Sequence, residues 1–178
     1  MRATAVVKAA GTVLVSVLLT QPLWAPEWGS GVLGEVAAPG LPGAVAAVAV
    51  FFGLVALYCR SLQRTLHLVP PRARAAAPRS VWWMFAIPCN FTEDFFIVRA
   101  VAVSLASDGR TAPAAVRRWQ AVGFAWCGLQ IVSLLPGAAG RAGAVAALLL
   151  WAAHWAETAR LNRRLAAGRP AALQPRTP

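Results

Sequence analysis

The run "LPGAVAAVAVFFGLVALYC", Leu41 to Cys59, contains no charged residue. A helix needs about 20 predominantly apolar residues to cross the hydrocarbon of a bilayer. Lipid offers no water to backbone N–H and C=O groups, so a run that enters it satisfies them internally, as a helix. Three further segments have similar character: 5–24, "WQAVGFAWCGLQIVSLLP" at 119–136 and "AGAVAALLLWAAHWAETA" at 142–159. With 58% of the chain hydrophobic and 13% charged, a water-soluble fold would leave much apolar surface uncovered. The expected class is an all-α integral membrane protein.

Charge sets the orientation. The segment 21–40 carries Glu27 and Glu35 and no basic residue, whereas Arg60, Arg64, Arg72, Arg74 and Arg79 follow the second run. Basic loops stay in the cytoplasm. A fifth apolar stretch, "WWMFAIPCNFTEDFFIVRAV" from Trp82 to Val101, would put Arg110, Arg117, Arg118 and the arginines after 159 outside if it crossed. If it returns to its side of origin, Arg141 is the one basic residue of 17 left outside. Four transmembrane helices in two hairpins are therefore expected, at about 5–24, 41–59, 119–136 and 142–159. Both termini lie in the cytoplasm, and a cytoplasmic interfacial or re-entrant helix at about 81–106 separates the hairpins. Residues 1–168 form one membrane domain and 169–178 a flexible basic tail. Leu23 stands where a signal peptidase prefers a small residue, so the first run is expected to be retained as a helix.

Inside the fifth stretch, Pro88 interrupts a continuous helix. Asn90 is placed to cap a new one, with Glu93 three residues on as in a capping box. Phe91, Phe95, Ile97, Val98, Val101, Ala102 and Leu105 fall on one half of the helical wheel. Thr92, Glu93, Arg99 and Ser104 fall on the other. Such a helix suits the headgroup plane, with Trp82 and Trp83 as interface anchors.

Two leading spans, an Arg-rich loop, the pattern W-W-x-x-x-x-P-x-N with its amphipathic helix, and two closing spans resemble a family of small bacterial four-helix membrane proteins known only as a domain of unknown function. The matching positions are Trp82, Trp83, Pro88 and Asn90, with Arg99 in the helix that follows. The resemblance implies the architecture and no activity. A bacterial source also fits the bias to Arg over Lys and the abundance of Ala, Gly and Pro.

Trp82, Trp83, Pro88, Asn90, Glu93, Asp94 and Arg99 make up the candidate polar site. Ionisable groups near a membrane usually have a partner or a task. Glu93 and Asp94 read either as a site for a headgroup, cation or proton, or as helix-start electrostatics plus a salt bridge to Arg72, Arg74, Arg79, Arg117 or Arg118. Arg60, Arg64, Arg160, Arg163 and Arg164 are candidate contacts for anionic lipid, each adding about 1 kcal/mol of attraction. His154 and Glu157 share a face of the last run, and a hydrogen bond between them is expected. A metal would need three or four ligands, so neither metal nor cofactor is expected. Cys59, Cys89 and Cys127 read as small buried hydrophobes.

Gly43, Ala46, Ala47, Gly53, Gly143, Ala146 and Ala147 suit close helix approach or a homo-oligomer. No nucleophile elbow, phosphate loop or zinc-protease helix occurs. The expected role is non-enzymatic, as an accessory or interaction protein of the cytoplasmic membrane. Its expected partners are anionic lipids and another protein or a second copy, not nucleic acid. The alternative is a lipid-headgroup-linked enzyme or small transporter using Glu93, Asp94 and Arg99 at the cytoplasmic leaflet.

Overall fold

A computed structural model describes residues 2–29 and 31–168, so the tail at 169–178 lies outside the described residues. The fold is all-helical, with α1 (Arg2–Leu19), α2 (Gln21–Trp24), α3 (Gly31–Ala37), α4 (Gly40–Leu68), α5 (Asn90–Asp108), α6 (Pro113–Val132) and α7 (Gly137–Ala167). Three short 3-10 segments, Pro26–Trp28, Pro71–Ala73 and Pro78–Phe85, lie between them. Among the described residues, α4 is the one helix long and apolar enough to cross a membrane, and Ala3–Leu19 is a shorter apolar helix.

Local chemistry sets the boundaries. α4 stops at Leu68 because Val69 precedes a proline and takes the extended conformation that this demands (ψ 135°). Gly109 ends α5 with φ 73°, a left-handed residue that only glycine adopts without cost. Pro113 opens α6 at the one position where its missing N–H does no harm.

The helices pair in a definite order. α7 carries a buried stripe at Gly140, Gly143, Ala147, Trp151, His154, Thr158, Asn162 and Leu165. Steps of three and four residues keep that stripe on one face of a straight helix. Its small end admits the α6–α7 turn, where a Cβ on Gly140 would collide with the Leu135 carbonyl oxygen. Its polar end meets α4. The Thr65 hydroxyl lies 2.8 Å from Asn162 Oδ1, Asn162 Nδ2 donates to the Ser61 carbonyl at 2.9 Å, and Tyr58 reaches His154. Those pairs advance together along both helices, so α4 and α7 run parallel. α6 runs antiparallel to α7, with Trp119 near Thr158 and Trp126 stacked near Trp151.

The expected pairing of the first two apolar runs as a hairpin is not what forms. α1 lies on α5, where Gly11 sits against the Thr92 side chain. The flank of α4 is taken instead by Pro78–Phe85: Trp82 Nε1–H donates to Gln63 Oε1 at 3.0 Å, the Cys59 thiol to the Val81 carbonyl at 3.4 Å, and Phe85 stacks near Phe52. Val81 and Trp82 meet Cys59 and Gln63 whereas Phe85 meets Phe52, so this segment runs back up beside the helix it has just left. After a turn containing the cis Ile87–Pro88 bond, α5 descends against α6, with Asp94 near Gln130, Phe95 near Phe124, and Val98 near Gly123.

Arg110 closes the excursion. Its guanidinium donates to the Leu68 carbonyl at 2.8 Å and the Leu165 carbonyl at 3.3 Å, so α5 ends beside the C-terminal ends of α4 and α7. Residues 69–108 thus leave and return at one end of the bundle. α5 lies lengthwise in it rather than flat across its end, because the apolar half of its wheel (Ile97, Val98, Val101, Ala102, Leu105) has protein surface to bury against. At the opposite end Glu35 approaches Arg141 at 3.6 Å, and Gly29 faces Pro136.

Candidate functional site

The turn before α5 does not form the expected capping box. Cys89 occupies the cap position without a side-chain bond, and its carbonyl accepts from the Thr92 and Glu93 amides at 3.1 and 2.9 Å. Asn90 is instead the first helical residue. Glu93 and Asp94 are consecutive, and on a helix that single step is about 100°, so the two acids face different neighbours.

Glu93 faces α1. Lys8 Nζ lies 2.6 Å from Glu93 Oε1 and 2.8 Å from Oε2, and 4.7 Å above the Phe96 ring centroid. None of the five arginines expected as a partner takes this role. Arg74 donates to the Val69 and His67 carbonyls at the end of α4, and Arg118 pairs with Glu157 at 3.1 Å. The pair is part-exposed, so its coupling energy is about 1 kcal/mol. A double-mutant cycle with Lys8→Met and Glu93→Gln, read by thermal unfolding in detergent, is expected to return that value; additive losses would mean the contact is idle.

Asp94 faces the bundle interior and is 3% exposed. Gln130 Nε2 donates to its Oδ2 at 3.3 Å, whereas Oδ1 has no hydrogen-bond partner. It belongs to none of the ion pairs among the described residues. Burying an ionised carboxylate without a cation is costly, so Asp94 is neutral unless a cation joins it.

Asp94 forms part of the wall of a cavity of about 350 Å³. α4 contributes Phe51, Phe52 and Tyr58, α6 contributes Trp126 and Gln130, and α7 contributes Ala147 and Trp151. Asn90, one turn before Asp94, also lines it. Two more polar atoms here lack partners: Asn90 Oδ1 and the indole N–H of Trp151. Buried polar atoms are normally satisfied by protein or by water, and three without a protein partner on residues that line one cavity make it the candidate site.

The aromatic wall is held rigidly. Tyr58 is fully buried, sits edge-on to Trp126 and Trp151 at 5.4 and 5.8 Å, and shares a 2.7 Å hydrogen bond with His154 Nδ1. Trp119 packs its ring 4.3 Å from the His154 ring and donates to Thr158 Oγ1, which itself donates to the His154 carbonyl. His154 therefore serves Tyr58, not Glu157.

The remaining sequence-derived residues lie elsewhere. Arg99 is exposed, beside a groove between α1, α5 and α6 lined by Val7, Phe96 and Gln120, so it does not join Asp94. Trp82 and Trp83 are 38% and 60% exposed. Pro88 sits in the turn that delivers Asn90 to the cavity. Arg60, Arg64, Arg160, Arg163 and Arg164 are all exposed; Arg160 and Arg164 line a cleft near Arg118 and the start of α6. Cys59 and Cys127 are buried as expected of small hydrophobes, but Cys89 is exposed. In α4, a Cβ on Gly53 would meet nothing within 4 Å, and Ala46 and Ala47 are exposed, while Gly143 and Ala147 are buried.

Sequence reasoning found Asp94 and Asn90 but missed Tyr58, Trp126, Gln130 and Trp151. One signal was available. Tyr58 is the only tyrosine of the chain, and it falls within an otherwise apolar run. No protein-family model, curated protein or solved structure matches the chain.

Proposed function

We propose that this chain is a multi-pass protein of the cytoplasmic membrane that binds an amphiphilic small molecule in the Asp94 cavity, without transforming it. In this reading α1, α4, α6 and α7 cross the bilayer, and residues 69–108 form a re-entrant element that opens to the cytoplasm. The observation that carries the binding role is a carboxyl 3% exposed, without a cation, in the wall of an aromatic cavity. The membrane reading is supported by the apolar length of α4. It is supported also by charge: the end of the bundle gathered by Arg110 carries Arg64, Arg72, Arg74, Arg160, Arg163 and Arg164, while the opposite end carries Glu27, Glu35 and Arg141. That asymmetry is what the positive-inside rule demands of a cytoplasmic end. The exposed arginines there suit anionic headgroups.

Such a binder fits an accessory role better than the enzyme or transporter alternative. Glu93, Asp94 and Arg99 point to three different surroundings and do not act as one cluster. The test is native mass spectrometry of the full chain extracted in mild detergent. A bound small molecule is expected on the wild type and is expected to be absent from Leu148→Trp, which places a large ring in the cavity lining from an exposed position. An identical ligand load on both would overturn the assignment of this cavity.

A further inference from the structure

The chemistry of the cavity selects among amphiphiles. Resting on the binding role just proposed, we infer that its ligand carries an ammonium group on an apolar body. Two acceptor oxygens without donors, Asp94 Oδ1 and Asn90 Oδ1, stand one helical turn apart on the face of α5 that lines the cavity. An ammonium is a compact cluster of N–H donors with no acceptor, so it satisfies both and supplies the positive charge that Asp94 lacks. Lys8 does not supply it, because Lys8 is held by Glu93 on the opposite flank of α5.

The rest of the wall points the same way. Tyr58, Trp126 and Trp151 line the volume with three aromatic rings set edge-on or stacked within 6.4 Å of one another. Aromatic rings attract a cation through their quadrupole and cover an apolar body equally well. An anion meets a carboxyl and an amide oxygen here, both acceptors without donors. The cavity of about 350 Å³ has room for an aryl or short alkyl amine. The same chemistry is met by the ethanolamine headgroup of a phospholipid, so the source is a free amine or a lipid amine.

The test uses the full chain in nanodiscs of phosphatidylcholine, with tritiated 2-phenylethylammonium as probe and 2-phenylethanol as its neutral counterpart. Saturable binding is expected, with the alcohol competing at least about tenfold more weakly. Asp94→Asn is expected to abolish that preference. Leu148→Trp, which leaves Asp94 untouched, is expected to remove binding and keeps the test decisive if Asp94→Asn does not fold. Nanodiscs that also contain phosphatidylethanolamine distinguish the sources: displacement of the probe identifies a lipid amine, and undiminished binding a free amine. Equal affinity for amine and alcohol would overturn the ammonium inference while leaving a cavity that binds amphiphiles. Binding of neither would overturn both.

Discussion

Replacing Gly123 with leucine is expected to destabilise the protein by roughly 3 kcal/mol, which lowers the unfolding midpoint by about 10 °C. A Cβ at Gly123 would lie 2.7 Å from Val98 Cγ1 and 2.8 Å from His154 Nε2. Neither neighbour has anywhere to go. Val98 and His154 are both fully buried, and the His154 ring is fixed by Tyr58 on one side and by Trp119 on the other. A larger side chain must therefore push α6 away from α5 or α7, the two helices that form most of its packing. Gly128, five residues along α6, provides the control, since a Cβ there meets nothing within 4 Å. Gly128→Ala is expected to be neutral or to add up to about 1 kcal/mol through helix propensity, whereas Gly123→Ala is expected to destabilise. Thermal unfolding of the purified variants in one detergent compares them. If both alanine variants behave alike, Gly123 is not the point of close approach between α6 and its neighbours α5 and α7.

The second large effect is expected at Arg110. Its guanidinium binds Asp108 at 2.8 Å and donates to the carbonyls of Leu68 and Leu165. The last carbonyls of a helix have no partner within it, so one side chain here satisfies the ends of two helices. The Asp108 side chain is 3% exposed although the residue as a whole is half-buried, and removing Arg110 leaves its carboxylate without a cation. Arg110→Ala is expected to cost about 3 kcal/mol. Arg110→Lys is expected to recover only part of that loss, because a single ammonium cannot reproduce the fork that reaches three acceptors. Limited proteolysis reads the effect locally: cleavage between α4 and α5 and between α5 and α6 is expected to quicken in Arg110→Ala. Unchanged cleavage together with unchanged stability would show that the clasp holds nothing.

What could be read from the sequence follows from what local pattern encodes. The apolar runs marked the helices but not their ends. α4, expected at 41–59, continues to Leu68, and α6 and α7, expected at 119–136 and 142–159, run over Pro113–Val132 and Gly137–Ala167. An apolar run records what lipid or protein covers and not where a helix stops. The return of 69–108 to its starting end was expected from the arginines that follow it. The partners were not legible. Lys8 and Glu93 are 85 residues apart, and no periodicity in either helix announces the other. The α1–α4 hairpin was expected because neighbouring spans usually pair, yet Pro78–Phe85 competes for α4 with aromatic and thiol contacts that short-range patterning does not reveal. Asp94 and Asn90 were singled out as polar residues in an apolar stretch, which remains a sound signal. Their cavity depends on Tyr58, Trp126 and Trp151, each of which reads in sequence as an ordinary membrane aromatic. The capping box failed for a physical reason: Glu93 has a cation within reach on α1, and a charged partner outbids a single amide.

In the proposed topology, residues 69–108 enter the membrane and leave it again on one side. Single cysteines at Ser107, Ala139 and Gly168, in a Cys89→Ala background, test it through labelling of intact cells with a membrane-impermeant thiol reagent. Cys59 and Cys127 stay in place because both are buried, and Ala139 is exposed whereas its neighbour Gly140 has no room for a side chain. Labelling is expected at Ala139 alone, with Ser107 and Gly168 protected until the cells are opened. Labelling of Ser107 and Gly168 in intact cells would contradict it and make 69–108 a crossing.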